Sequence, residues 1–452
     1  MVESHQLGSQ PSHYPGQRET KPPIRVVHFS TEGAQGGAGR AAYSIHKSLL
    51  DGGCDSWMVV ANQAAADARV VSGYGVRLGG RVRNSIIQRS QTRLLNNLKP
   101  RRTFFPDRLG TVDLGWLSLP AAPEILHLHW VSRFLTSRHI WKLWERHRAP
   151  LVWTVMDMAP LTGGCHYSYG CAAFEEACGC CPMIDSDQND DVSHSSVLSK
   201  RRWLSSVPIT LVGATDWVID KAARSSLFSD VRAVKIPYGV NDAVFRPVDR
   251  AAVRRKLELP AERRIIFFGA TDHNDERKGI HLLLEALQRL RERSEAGGQP
   301  LMLIAGHGNP ELIEKIPFDR IELGYLDEHG LAMAYQAADL FVCPSTEDAG
   351  PLMIPESLMC GTPVVAFAEC GGAPDHIITG LNGYIAESRN STDLAHGIDR
   401  VLTWTEAGVI TQASCRDGVM RECALQVQSA RYQELYKELM DENAKRRSQL
   451  GV

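Results

Sequence analysis

Strand, glycine turn and helix follow one another twice in this chain of 452 residues, and few folds accommodate that order. Ile24-Arg25-Val26-Val27-His28-Phe29 is a short apolar strand pattern. The turn Ser30–Gly39 follows it, and then Arg40–Leu50, whose Ala41, Ala42, Ile45 and Leu49 fall at helical spacing before Gly52-Gly53. The second series starts at Arg264–Gly269, crosses the polar loop Ala270–Arg277 and continues in a helix predicted over Lys278–Arg291. Each unit opens a doubly wound α/β domain, in which ligands meet the carboxyl ends of the strands. Gly36 and Gly37 would allow such an approach. Their spacing is not G-x-G-x-x-G, which argues against a nicotinamide enzyme. A tight turn that touches nothing is the plain alternative for this segment.

Length agrees with two domains, since a single core rarely grows past about 250–300 residues. Two prolines and a glycine around Ile236–Pro247 mark the boundary. The expected division is a polar leader over 1–23, an N-terminal domain over 24–240, a C-terminal domain over 246–424 and a final amphipathic helix over 425–448. Fifty Lys and Arg against 52 Asp and Glu leave no global bias toward nucleic acid. No run approaches the roughly 20 apolar residues of a membrane span. The N-terminus has no apolar core of a signal peptide, so the eleven cysteines point to reduced thiols or metal ligands in a cytoplasmic protein.

Thr346–Pro363 carries the densest chemistry. Asp348 and Glu356 are carboxylates eight positions apart, with Ala349-Gly350-Pro351-Leu352 between strand Leu340–Cys343 and a helix stopped at Gly361. A helix start near Gly350–Leu352 would turn unpaired N–H groups toward an anion. Flanking acids then suit a ligand carrying both phosphate and hydroxyls, such as a nucleotide sugar; two solvated acids at an ordinary junction are the alternative. Lys278, at the predicted start of its helix, sits where a cation is normally disfavoured. With Arg277, it is a candidate clamp for a diphosphate.

Two further segments stand apart. Arg77–Pro106 holds eight basic residues and no acidic one, with Ile86, Ile87, Leu94, Leu95 and Leu98 between them. Such a helix can lie on an anionic membrane surface, here the inner face, or it can be a solvated helix with a basic outer side. Within the insert 162–182, five cysteines fall in seventeen residues. Cys178 and Cys181 form a C-x-x-C knuckle, and Cys165 and Cys171 complete a set for structural zinc. Packed free thiols, disulfides or an iron–sulfur centre are the competing readings.

Taken together, Arg277-Lys278-Gly279, Ala338-Asp339-Leu340, Gly361-Thr362-Pro363-Val364-Val365 and Ile236–Val240 resemble glycosyltransferase family 4, of the two-Rossmann GT-B fold. Gly36–Ala42 and Thr162–Tyr167, with the cysteines that follow, resemble its bacterial exopolysaccharide, colanic-acid-type branch. The resemblance spans roughly residues 24–440. It implies a retaining transfer from a UDP- or GDP-sugar to a glycan, lipid-linked or small acceptor, without a catalytic metal. The C-terminal helix would pack back on the N-terminal domain. It implies catalytic roles for Lys278, Asp348 and Glu356, with Glu356 on ribose hydroxyls and Asp348 on the sugar. Ala349–Leu352 and Lys278 would hold the diphosphate, with Gly36 and Gly37 approaching from the other domain. His129, Asp157 and His166 are the acceptor-side candidates. Three positions depart from the family pattern. Asp348 replaces a glutamate, Ala270 stands where a basic residue is common, and Met156 precedes Asp157 where the family has histidine. An epimerase of the same fold, or a binding protein that has lost turnover through Met156, are the other functions compatible with these residues.

Overall fold

The computed structural model describes residues 22–62, 67–74, 78–108, 110–112, 114, 115, 117, 119, 122–293 and 299–450. Residues 1–21 of the expected leader and Arg77 of the basic stretch lie outside them.

Thirteen strands among the described residues form two parallel sheets. The first contains β1 (Arg25–Glu32), β2 (Asp55–Asn62), β3 (Val70–Ser72), β4 (Ile125–Leu128), β5 (Leu151–Val155), β6 (Ile209–Gly213) and β7 (Ala233–Lys235), in the order β3-β2-β1-β4-β5-β6-β7. The second contains β8 (Ile265–Asp272), β9 (Leu301–His307), β10 (Arg320–Gly324), β11 (Leu340–Cys343), β12 (Val364–Phe367) and β13 (Gly383–Ala386), in the order β10-β9-β8-β11-β12-β13. Parallel strands covered on both faces must be apolar throughout, and β5, β6, β11 and β12 are buried at every residue. Strand order reverses at β1/β4 and at β8/β11, where Val26 pairs with Ile125 and Leu340 with Ile266. Those two switch points are where a doubly wound sheet opens a crevice for ligand.

Successive residues of β1 feed opposite layers of the first domain. Val27 and Phe29 pack with Phe134 and Trp153, while Val26 packs with Ile45, Tyr432 and Tyr436. The tyrosines come from the last helix, Leu425–Leu450, so the chain's end completes the core of its first domain. Its Tyr432 hydroxyl lies 2.9 Å from Thr154 Oγ1, and its Tyr436 hydroxyl lies 2.8 Å from His127 Nδ1. The chain therefore crosses between domains twice. The crossings touch: the Val240 N–H donates to the Cys423 carbonyl at 2.7 Å, and Gln428 Nε2 donates to the Pro237 carbonyl at 3.1 Å.

Two element boundaries differ from the sequence expectation. The helix after β8 runs over Ile280–Arg293, and Lys278 ends a separate 3-10 turn, Glu276–Lys278. Asp275 caps that turn by accepting from the Arg277 N–H, and Gly279 leaves it with φ of 69°. A β-carbon there would lie 1.9 Å from the Pro344 carbonyl oxygen, so only glycine fits between turn and strand end. The short helix after Asp348 starts at Met353, later than the predicted Gly350–Leu352. Gly350 instead packs under the Tyr238 ring, 2.7 Å from where a β-carbon would stand.

Candidate active site

A cavity of about 360 Å³ lies between the two sheets. From the first domain, Gly36, Gly37, Arg40, Met156, Asp157, Tyr167 and Tyr238 line it; from the second, Ala270, Arg277, Lys278, Asp348, Gly350, Pro351, Leu352 and Glu356 do so. Sequence spacing had no means of showing that Gly36-Gly37, Lys278 and the Asp348–Glu356 stretch face one another, and the fold brings them together. Ala349 is the exception in its stretch. It is wholly buried against the first domain's core, and its carbonyl accepts from Thr215 Oγ1 at 2.9 Å.

Asp348 is the electrostatic centre. Its carboxylate accepts from Lys278 Nζ at 2.7 Å, Arg277 Nη1 at 3.1 Å and the Gly350 N–H at 3.2 Å. Burial works against its charge, but the two cations overcome that and hold its pKa down at about 2. Glu356 is the contrary case. It is almost completely buried on the helix Met353–Met359, and burial raises its pKa despite Arg40 Nη2 at 2.5 Å from Oε1. The Tyr335 hydroxyl, 3.4 Å away, donates to the other oxygen.

Arg277 does not stand free as a phosphate clamp. Its guanidinium donates to Asp275 at 2.9 Å, to Asp348 and to the Glu347 carbonyl at 2.7 Å, and its face lies 4.0 Å from the Tyr167 ring centre. It braces the site. Glu347, beside Asp348, closes the domains on each other: Oε1 accepts from the Ser168 N–H and Oγ, and Oε2 from the Tyr169 N–H at 2.9 Å. Sequence reading passed over Glu347 because the eight-residue spacing singled out its neighbour. It also passed over Arg40, although the argument applied to Lys278, a cation in a first helical turn, fits Arg40 equally well.

The acceptor-side candidates separate. Asp157 lines the main cavity and also a smaller one of about 50 Å³, with His129, Trp130, Trp153 and Met156. Its carboxylate is held by Trp130 Nε1 at 2.8 Å, the Ala159 N–H at 2.8 Å and His166 Nδ1 at 2.6 Å. His166 is buried and lines neither cavity. His129 belongs to a buried group with His28 and His127, which His46 of the helix Gly36–Asp51 joins through His28. His28 Nδ1 and His129 Nε2 share a hydrogen bond of 2.8 Å. Burial keeps all four imidazoles below their ordinary pKa, His46 at about 4 and His129 at about 3.

Cys165, Cys171, Cys178 and Cys181 line one small cavity beside Phe104 and Phe174. Cys178 and Cys180 adopt left-handed backbone conformations around Gly179. All eleven cysteines are free thiols. A tetrahedral zinc needs its sulfurs about 3.8 Å apart. Among the described residues, the one group of three or more candidate ligands with donor atoms within 4.8 Å of one another is His28, His127 and His129, and the cysteine sulfurs form no such group.

The sucrose-phosphate synthase of Thermosynechococcus elongatus superposes with a TM-score of 0.65 at 17% identity, covering 93% of this chain and all of that one. The architecture is GT-B. Anabaena HepE in complex with UDP-glucose shares it, with a TM-score of 0.59 at 13% identity over 92% of this chain and all of that one. At such identities the likeness concerns the fold. In sequence, residues 262–403 match the family described as Glycosyl transferases group 1. The D-inositol 3-phosphate glycosyltransferase of Geodermatophilus obscurus is 34% identical over 195 residues, 39% of this chain and 41% of that protein. That of Streptomyces bingchenggensis is 27% identical over 301 residues, 62% of this chain and 59% of that protein. The chain thus spans about two-fifths to three-fifths of these curated relatives, whose names are not those of the exopolysaccharide branch.

Proposed function

We propose that this GT-B protein is a retaining glycosyltransferase that moves a sugar from a UDP- or GDP-sugar to a glycan, lipid-linked or inositol-phosphate-like small acceptor. The observation that carries this reading is the convergence of Lys278, Asp348, Glu356 and the Gly36-Gly37 backbone on one cavity between two switch points. Breaking the bond from anomeric carbon to phosphate leaves negative charge on the diphosphate and positive character on the sugar. Fixed charges aimed at that diphosphate stabilise the transition state without reorganising. In this reading Lys278 meets the diphosphate, Glu356 the ribose hydroxyls and Asp348 the sugar hydroxyls, with backbone at Gly350–Leu352 beside them. The match of residues 262–403 to Glycosyl transferases group 1 and the UDP-glucose bound by HepE support a nucleotide-sugar donor.

The smaller cavity suits the acceptor, because it shares Met156 and Asp157 with the donor side. The helix Leu78–Leu98 exposes Val82 and Ile86 by more than half, beside Arg89 and Arg93. That face would dock on anionic lipid, which co-sedimentation with phosphatidylglycerol vesicles tests. Zinc at the four cysteines would draw their sulfurs inward, and elemental analysis of protein purified under reducing conditions should then find about one metal per chain.

Thermal shift and transfer assays with labelled UDP- and GDP-sugars test the main reading, since a ligand of the folded state raises its melting point. Glu356→Ala should weaken donor binding at least tenfold with the fold intact; unchanged affinity removes Glu356 from the site. One observation favours a second reading, a binding protein: the thioether of Met156 lines the cavity where the family pattern places an imidazole. Tight donor binding with neither hydrolysis nor transfer would decide for it.

A further inference from the structure

Three cations and five carboxylates line the main cavity: Arg40, Arg277 and Lys278 against Asp157, Asp272, Asp275, Asp348 and Glu356. A diphosphate dianion entering this cleft meets net negative charge, and each lining cation is already paired with a carboxylate, so direct contact needs one of them to leave its partner. Arg277 is the most committed of the three, because two carboxylates, a carbonyl and the Tyr167 ring already hold it. Ala270 offers none. Lys278 and Arg40 remain, and each is held by one of the two carboxylates assigned to hydroxyls: Lys278 by Asp348 at 2.7 Å and Arg40 by Glu356 at 2.5 Å.

Arg40 also owes its position to the other domain. It is the fifth residue of the helix Gly36–Asp51, three residues after Gly37, and no acidic residue in the first turn balances it. Its partner lies in the other domain, 316 residues away in sequence. About a third of its side chain is exposed to the cavity, against 3% for Glu356. Burial disfavours its charge, yet Glu356 and its neighbours raise its pKa, so it enters any exchange as a full cation.

We propose that Arg40 is a diphosphate ligand held in reserve on Glu356. Donor binding exchanges partners: the ribose hydroxyls take Glu356, and the freed guanidinium takes the diphosphate from the side opposite Lys278. A guanidinium suits this because its forked donors match carboxylate and phosphate oxygens alike. Arg40 then supplies from the first domain the second positive charge that Ala270 does not. This inference rests on the donor site of the preceding section, and it adds a residue that links nucleotide recognition to closure of the two domains.

Titration calorimetry on the full chain, with UDP and GDP against uridine and guanosine, separates Arg40 from a mere latch. Arg40→Ala should weaken the nucleoside diphosphate at least tenfold while leaving the nucleoside unchanged or tighter, because Glu356 is now free. Arg40→Lys should fall between. Inorganic pyrophosphate gives the reciprocal test: Glu356→Gln should bind it several-fold more tightly, and the double variant with Arg40→Ala should lose that gain. If Arg40→Ala tightens diphosphate and nucleoside together, Arg40 is only a latch and the proposal fails. Unchanged diphosphate affinity also overturns it. Should the wild type bind no nucleotide of either base, the donor site itself falls. Should Arg40→Ala fail to fold, Arg40→Lys and Glu356→Gln with pyrophosphate still decide.

Discussion

Replacing Asp348 by asparagine keeps the shape of the side chain and removes one charge from the centre of the site. In the folded protein Lys278 and Arg277 hold this carboxyl at a pKa of about 2, against an ordinary 3.8. Because the folded pKa is depressed, the unfolded chain binds the proton more readily, and stability rises with pH through this window. At about 1.4 kcal/mol per pKa unit, the charged form contributes about 2 kcal/mol. That contribution is complete above pH 5 or so and is lost as pH falls from near 4 toward 2. Asp348→Asn should therefore lower the opening free energy of the second sheet by about 2 kcal/mol at neutral pH. Hydrogen exchange at Leu340–Cys343, which β11 buries beside the site, reads that quantity directly. The gap between variant and wild type should narrow at pH 3. Equal protection at pH 7, or a gap that does not change with pH, refutes the electrostatic account. The variant should also free Lys278 for inorganic pyrophosphate while slowing sugar transfer.

Tyr436→Phe removes the hydroxyl that faces His127 Nδ1 and leaves a buried imidazole nitrogen without its partner. A loss of about 1–3 kcal/mol is expected, measured by urea unfolding of the full chain, with the last helix loosening first in hydrogen exchange. The neutral histidines predict acid lability of a different origin. Unfolded histidines bind protons below about pH 6.5, whereas burial holds His46 at about 4 and His129 at about 3 in the fold. Stability should fall as pH drops from 6.5 toward 4, and His129→Gln should flatten that slope in a pH series of thermal melts.

The α/β order was legible in the sequence because parallel strands buried on both faces must read as apolar runs, as Leu151–Val155 and Leu340–Cys343 do. The residues proposed for the donor side stood out as glycines at strand ends and two acids at fixed spacing, whereas Lys278 was singled out as a helix-start cation and in the structure ends a 3-10 turn. What escaped was fixed only by the meeting of domains. Glu347 is one more acid in sequence, and its role exists because Ser168 and Tyr169 arrive from the other side. Arg277 read as a clamp, and that Tyr167, Asp275 and Asp348 all hold it could not be seen from the sequence. His127 and His129 sat in a strand pattern, and nothing local foretold that His28 and His46 would join them. The helix boundary at Gly279 depended on the Pro344 carbonyl, 65 residues away in the chain.

The adjacency of the two interdomain crossings sets what motion the molecule can make. Both strands of connection pass side by side, tied at Val240 and Cys423, so a rotation that parts the sheets can turn about that seam without stretching either connection. Away from the seam the domains are tied by Arg40 to Glu356 and by Ser168 and Tyr169 to Glu347, while Ala349 packs into the first domain's core nearer to it. The last helix would travel with the first domain, whose core it completes, leaving the seam as the pivot and the cavity as the mouth.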